Sequence, residues 1–119
     1  MKFLKIQKEG DISIVTINRP ESMNALSTEV LREFCSLQDY FRQDLETRVV
    51  IFTGEGDNFS AGADLKEKAQ LSTKLESWRS NFGKPAIKSI LDIDQITIAA
   101  IKGYCLGGAA CIATACDFR

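Results

Sequence analysis

The sequence predicts an α/β fold, and three observations carry that expectation. Short β-branched or aromatic runs alternate with segments whose apolar residues step by three or four, the periods of strand and helix. Two of the runs break at glycine- and alanine-rich turns that lead into helical segments, as strand-to-helix units do. No linker, low-complexity stretch or repeat interrupts the 119 residues, which is one domain's length and enough to bury a core.

Residues 3–8 alternate apolar and polar, and Gly10-Asp11 makes a turn. Ile12, Ile14, Val15 and Ile17 then form a second strand ending at Asn18-Arg19-Pro20, so the chain opens as a hairpin. Residues 20–26 have no period and read as a loop. Ser27 is placed to cap a helix to about Leu45, with Val30, Phe34, Leu37, Phe41 and Leu45 as one buried stripe. Residues 48–53 are a short buried strand, 54–58 a turn, and Leu65-Lys66-Glu67 begins a helical turn. From Leu71 to about Asp94 the pattern is helical through Leu75, Trp78, Phe82, Ile87, Ile90 and Leu91, with Gly83-Lys84-Pro85 kinking or dividing it. Residues 96–101 are a buried strand and 109–116 a small-residue helix. The chain stops at Asp117-Phe118-Arg119 with no element to close a sheet, which points to a truncated chain.

Composition excludes several functions. With 45% hydrophobic and 26% charged residues the chain is an ordinary globular protein, and a net charge of −1 supplies no field for nucleic acid or a membrane surface. There is no histidine, which removes Ser-His-Asp and Cys-His catalysis and most catalytic zinc sites; no metal is expected. Cys35, Cys105, Cys111 and Cys116 form no C-x-x-C pair and read as small buried hydrophobes in a reducing compartment. The first six residues have neither an apolar h-region nor an Arg/Ser-rich presequence, so a cytoplasmic location is the default.

The turn at 101–110 carries the chemistry. A helix beginning at Gly107-Gly108 points unpaired N–H groups and the positive end of its dipole out of the turn, and glycine lets a substrate oxygen approach that backbone. Such a turn builds a site for a developing oxyanion. Two plainer readings stand beside it. The glycines can simply permit a tight turn, and residues 96–116 are apolar enough, with a G-x-x-x-G at Gly103/Gly107, to suggest a membrane span. Lys102 and the change from β-branched to alanine-rich composition fit strand and helix better. Ser60-Ala61-Gly62-Ala63-Asp64 is a second such turn, and one N–H from each could hold a carbonyl oxygen from two directions.

Three motifs together carry a resemblance. They are Asn18-Arg19-Pro20 with Met23-Asn24-Ala25-Leu26, then Phe59-Ser60-Ala61-Gly62-Ala63-Asp64-Leu65-Lys66-Glu67, then Gly103-Tyr104-Cys105-Leu106-Gly107-Gly108 closing on Cys116-Asp117-Phe118-Arg119. In order and spacing they resemble the crotonase (enoyl-CoA hydratase/isomerase) superfamily over essentially the whole chain. The resemblance implies a crotonase-like spiral of β-β-α repeats, of which residues 1–119 are the N-terminal part. It implies an acyl-CoA thioester substrate, coenzyme A entering as part of the substrate with no bound cofactor, and a homo-oligomer, trimer or hexamer. It also implies an oxyanion hole from the Ala63 and Gly108 amides. Met23, Asn24 and Ala25 with Ala61, Gly62, Ala63, Asp64, Leu65 and Lys66 would line the coenzyme A channel. Lys66 would meet a phosphate or stay a solvated lysine.

The departure from the family pattern is Cys111. Family hydratases carry a catalytic glutamate three residues after the second oxyanion glycine, and here that position holds a thiol. An unperturbed thiol, with a pKa of about 8.5, does not replace a carboxylate that shuttles protons at neutral pH. Enoyl-CoA isomerisation or atypical hydration is therefore expected above two-carboxylate hydration, with a non-catalytic binding or assembly module as the alternative. Cys111 as a nucleophile is a further possibility, since helix N-termini lower thiol pKa values. Asp64 reads as a helix cap, Asp117 as a structural hydrogen-bonding group, and Glu55 and Asp57 as solvated turn residues. Gly54-Glu55-Gly56 lacks the third glycine and the helix of a dinucleotide fingerprint.

Overall fold

The computed structural model describes residues 1–70, 73, 76 and 81–119. Its strands, β1 (Leu4–Glu9), β2 (Ile12–Ile17), β3 (Val49–Gly54) and β4 (Ile96–Ala99), form one sheet in the order β1-β2-β3-β4. β1 and β2 are the expected antiparallel hairpin, turning through Gly10 at φ +64°. β2, β3 and β4 run parallel, and parallel neighbours require crossovers. Helices α1 (Thr28–Cys35) and α2 (Leu37–Arg42) lie on the first, α3 (Leu65–Ala69) and α4 (Gly83–Leu91) on the second, and α5 (Gly108–Ala115) follows β4.

The core lies between the sheet and the helices. Val50 and Phe52 alternate inward along β3, while Val15, Thr16 and Ile17 of β2 are buried in succession, as a strand covered on both faces must be. Phe34 of α1 packs on Phe52 with ring centroids 6.1 Å apart. Leu37, Phe41, Ile90 and Ile112 complete the cluster, each fully buried side chain contributing about 1.5–3 kcal/mol.

Several expectations are corrected. The helix from Ser27 is two helices, because the Ser36 hydroxyl donates to the Glu33 carbonyl (2.7 Å) and competes with the ladder. Ser27 does cap it, accepting the Val30 N–H. Leu45 is 94% exposed and no part of the stripe. The Asp44 carboxylate accepts the Glu46 and Thr47 N–H groups and the Thr47 hydroxyl, turning the chain so that Thr47 faces inward. The last strand ends at Ala99, and Ile101 is exposed. α4 starts at Gly83 with Pro85 in its first turn, where a missing N–H costs nothing; Leu91 is exposed, and Leu71, Leu75 and Trp78 lie outside the described residues. Among the described residues no helix is long and apolar enough to cross a membrane, and residues 96–116 are strand, loop and an eight-residue helix. Asp117 and Phe118 fold back on β4: the Asp117 carboxylate accepts the Thr97 N–H (2.9 Å) and the Ala99 N–H donates to the Phe118 carbonyl (2.8 Å). Of the cysteines only Cys116 is buried; Cys35 and Cys105 are half-buried and Cys111 is exposed.

Candidate active site

Three loops are laced by main-chain hydrogen bonds at one end of the sheet. The Ala61 N–H donates to Met23 (3.0 Å) and the Leu26 N–H to Gly62 (2.7 Å). On the other side the Phe59 N–H donates to Lys102 (2.8 Å), the Ser60 N–H to Tyr104 (2.9 Å) and the Leu106 N–H to Ser60 (3.2 Å). The segment 59–63 is thus the middle member of a short parallel pairing on both edges. Buried Asn24 adds a side-chain relay: its Oδ1 accepts the Arg19 N–H, and its Nδ2 donates to the Glu55 and Asn58 carbonyls. Asn58 Oδ1 in turn accepts the Tyr104 N–H (2.9 Å).

This lacing brings the two glycine turns into contact. Gly62 sits at φ +91°, and a Cβ there would stand 2.5 Å from the Leu106 carbonyl oxygen and 3.7 Å from the Gly108 nitrogen. Only glycine permits that approach and that conformation. Ala63 and Gly108 line one cavity of about 390 Å³, whose apolar wall includes Leu26, Leu31, Ile87 and Ile112. Among the described residues neither the Ala63 nor the Gly108 N–H donates a hydrogen bond to the protein. Gly108 opens α5, and its capping residue Gly107 (φ +53°, ψ −120°) offers no side chain to the first turn.

Cys111 lines the same cavity, one turn along α5. Among the described residues two carboxylates also reach it, and both are engaged. Asp64 caps α3 by accepting the Glu67 N–H (3.1 Å) and pairs with Arg19 Nη1 at 2.7 Å. The Arg19 guanidinium holds the Asp64 carboxyl below the usual carboxylate range, burial opposing it and the Glu67 N–H assisting. Glu67 accepts from both the N–H (2.8 Å) and the hydroxyl of Thr28, tying α3 to α1. Among the described residues Lys68 and Lys84 are the cations of the lining.

Of the residues singled out from the sequence, Ala63, Asp64, Gly108 and Cys111 share the cavity. Met23, Leu65 and Lys66 are exposed outside its lining, and Asn24 and Ala25 are buried. Ala61 and Gly62 contribute main chain to the lacing. Sequence reasoning missed Arg19, Asn58 and the Thr28–Glu67 pair. Arg19 and Glu67 carried a signal, as charged residues within the quoted motifs, but their partners did not.

A family model described as enoyl-CoA hydratase/isomerase matches residues 7–119. The short-chain-enoyl-CoA hydratase of Clostridium acetobutylicum is 36% identical over 115 residues, covering 96% of this chain and 44% of that protein. The crotonyl-CoA hydratase of Syntrophomonas wolfei is 34% identical over 115 residues, with 96% and 44% covered. The solved enoyl-CoA hydratase of Bacillus anthracis superposes with a TM-score of 0.92 at 32% identity, covering 98% of this chain and 46% of that one. The chain therefore spans less than half the length of these relatives.

Proposed function

This chain belongs to the enoyl-CoA hydratase/isomerase family, and on that premise we propose that it supplies the oxyanion-binding part of an enzyme acting on acyl-CoA thioesters. Its α/β fold is the crotonase fold of its structural neighbours. One observation carries the reading: Ala63 and Gly108, some 45 residues apart and with N–H groups that have no protein partner among the described residues, line a single cavity with an apolar wall.

A thioester carbonyl bound between Ala63 and Gly108 becomes an enolate oxygen when a proton leaves Cα or a nucleophile adds at Cβ. Both amides hold the negative charge better than the neutral carbonyl, and the Gly108 amide has the α5 dipole behind it. Each such donor is worth about 3 kcal/mol in the transition state. Coenzyme A arrives with the substrate, so the enolate chemistry calls on no separate cofactor. The acid–base step is less well served by this chain. Asp64 and Glu67 are committed to Arg19 and Thr28, and Cys111 stands where family hydratases carry glutamate. Those facts support enoyl-CoA isomerisation or atypical hydration over two-carboxylate hydration. They equally favour a second reading, a binding or assembly module that keeps the fold without turnover.

Acetoacetyl-CoA tests both, because its enolate absorbs in the near ultraviolet. Binding is expected to produce the enolate band, and Gly108→Pro is expected to remove it by about a hundredfold or more. Proline suits the first helical position, so the donor is lost with the helix intact. An unchanged band in the variant, with α5 still formed, sinks the oxyanion hole. Deuterium exchange at Cα of a bound acyl-CoA separates the readings: exchange marks an enzyme, and binding without exchange marks a module.

A further inference from the structure

Asp64 places a carboxylate on the wall of this cavity, one residue from Ala63, whose amide is asked to hold a negative oxygen. Adjacent Cα atoms are about 3.8 Å apart, so an uncompensated charge there would oppose the enolate. Arg19 is built against that carboxylate. Its Nη1 donates to Asp64 Oδ2 at 2.7 Å and to the Ala25 carbonyl at 3.2 Å. The guanidinium lies over the Phe3 ring at 5.9 Å, the Arg19 main-chain N–H donates to Asn24 Oδ1, and both side chains of the pair are less than one-fifth exposed.

We infer that Arg19 is a positioning residue for the proposed reaction: it neutralises the Asp64 carboxylate beside the Ala63 amide. The inference rests on the oxyanion-hole reading above. A carboxylate serves α3 as a cap but harms an oxyanion site, and the arginine removes the harm while keeping the cap. Among the described residues the remaining charged groups of the cavity do not serve in its place. Glu67 is bonded to Thr28, while Lys68 and Lys84 are exposed side chains on α3 and α4, and the Cys111 thiol is on α5. Among the described residues Arg19 is the cation paired with Asp64.

The test measures the enolate fraction of bound acetoacetyl-CoA at one fixed pH, beside the affinity for butyryl-CoA, which remains a neutral thioester. Arg19→Gln is expected to lower the enolate fraction about tenfold with butyryl-CoA affinity unchanged. Arg19→Lys keeps most of the signal. Asp64→Asn, which retains the cap, raises the enolate fraction, and Arg19→Gln combined with Asp64→Asn recovers it. A merely structural pair predicts the opposite: Asp64→Asn lowers the signal and the double variant stays as low as Arg19→Gln, and either result overturns the inference. Asp64→Asn alone decides the matter if Arg19→Gln does not fold. Gly108→Pro runs in parallel. If it leaves the enolate intact, the oxyanion hole itself fails; if it removes the enolate while the Arg19 series behaves structurally, only the role of Arg19 fails.

Discussion

The two turns that meet at the cavity are held by different means. The turn at 60–64 is fixed by what its residues touch: Gly62 is wedged against Leu106, its N–H donates to the Ser60 hydroxyl, and Asp64 is bonded to both Arg19 and the start of α3. The turn at 103–108 is wedged at its first glycine, Gly103 against Asp57 and Asn58, but open at its last. A Cβ on Gly107 would meet nothing within 4 Å, and no side chain caps α5. One amide is placed by packing and charge, the other by the backbone of a helix start. Precision at the first is lost by steric or electrostatic change, and at the second by conformational change.

Paired glycine substitutions test this difference. Gly62→Ala meets both a positive φ and a backbone oxygen that cannot retreat, and is expected to destabilise by about 4 kcal/mol. Gly107→Ala meets only the unfavourable conformation and is expected to cost about 1–2 kcal/mol. Urea unfolding of the two variants measures both. Equal costs would erase the distinction between a packed turn and an open one.

Acid distinguishes the turns next. The folded-state pKa of Asp64 is depressed by Arg19, so the pair stabilises above the ordinary aspartate value of about 3.9 and is lost as pH falls through the folded value. Wild type should therefore exceed Asp64→Asn by about 1–2 kcal/mol near neutrality and converge with it in strong acid. The Gly107→Ala penalty should not vary with pH, because no charge takes part. Melting temperatures followed from pH 7 downward check both statements, and a pH-independent gap for Asp64→Asn would deny the ion pair its share.

What was legible in the sequence follows the same division. Strands, the buried stripe at Val30, Phe34, Leu37 and Phe41, and the glycine turns are local patterns, and the structure has them. Leu45 had the right spacing and the wrong place, because the Asp44 turn overrides the period beyond Arg42. The partners of charged and amide groups left no trace of this kind. Arg19 finds Asp64 45 residues away, Thr28 finds Glu67 39 away, and Asn58 receives the Tyr104 N–H across 46. Nothing periodic encodes those pairings; they exist only once parallel strands have brought three loops to one end of the sheet. Asn24 shows the limit most clearly. Its place in the motif implied a position on the channel, and nothing local announced that its buried side chain makes three hydrogen bonds that tie the loops together.

The smallest perturbation leaves stability alone and reads the openness of the second turn through its thiols. Cys111, in the first turn of α5, is exposed at the cavity, while Cys116 beyond its last turn is buried and its thiol is pushed up to about 11. Burial also raises Cys35 and Cys105. Alkylation proceeds through the thiolate, and at pH 8 a group of pKa 11 is ionised to about one part in a thousand. Iodoacetamide should therefore label Cys111 first, Cys105 and Cys35 more slowly, and Cys116 only on unfolding. On the proposed reading, an acyl-CoA seated between Ala63 and Gly108 covers the wall that bears Cys111, so it should slow that one reaction and no other. Peptide mapping over a time course gives all four rates. If Cys111 reacts no faster than Cys116, the first turn of α5 is not open to solvent; if it reacts fast but acyl-CoA does not protect it, the thioester binds elsewhere and the two turns face each other for structural reasons alone.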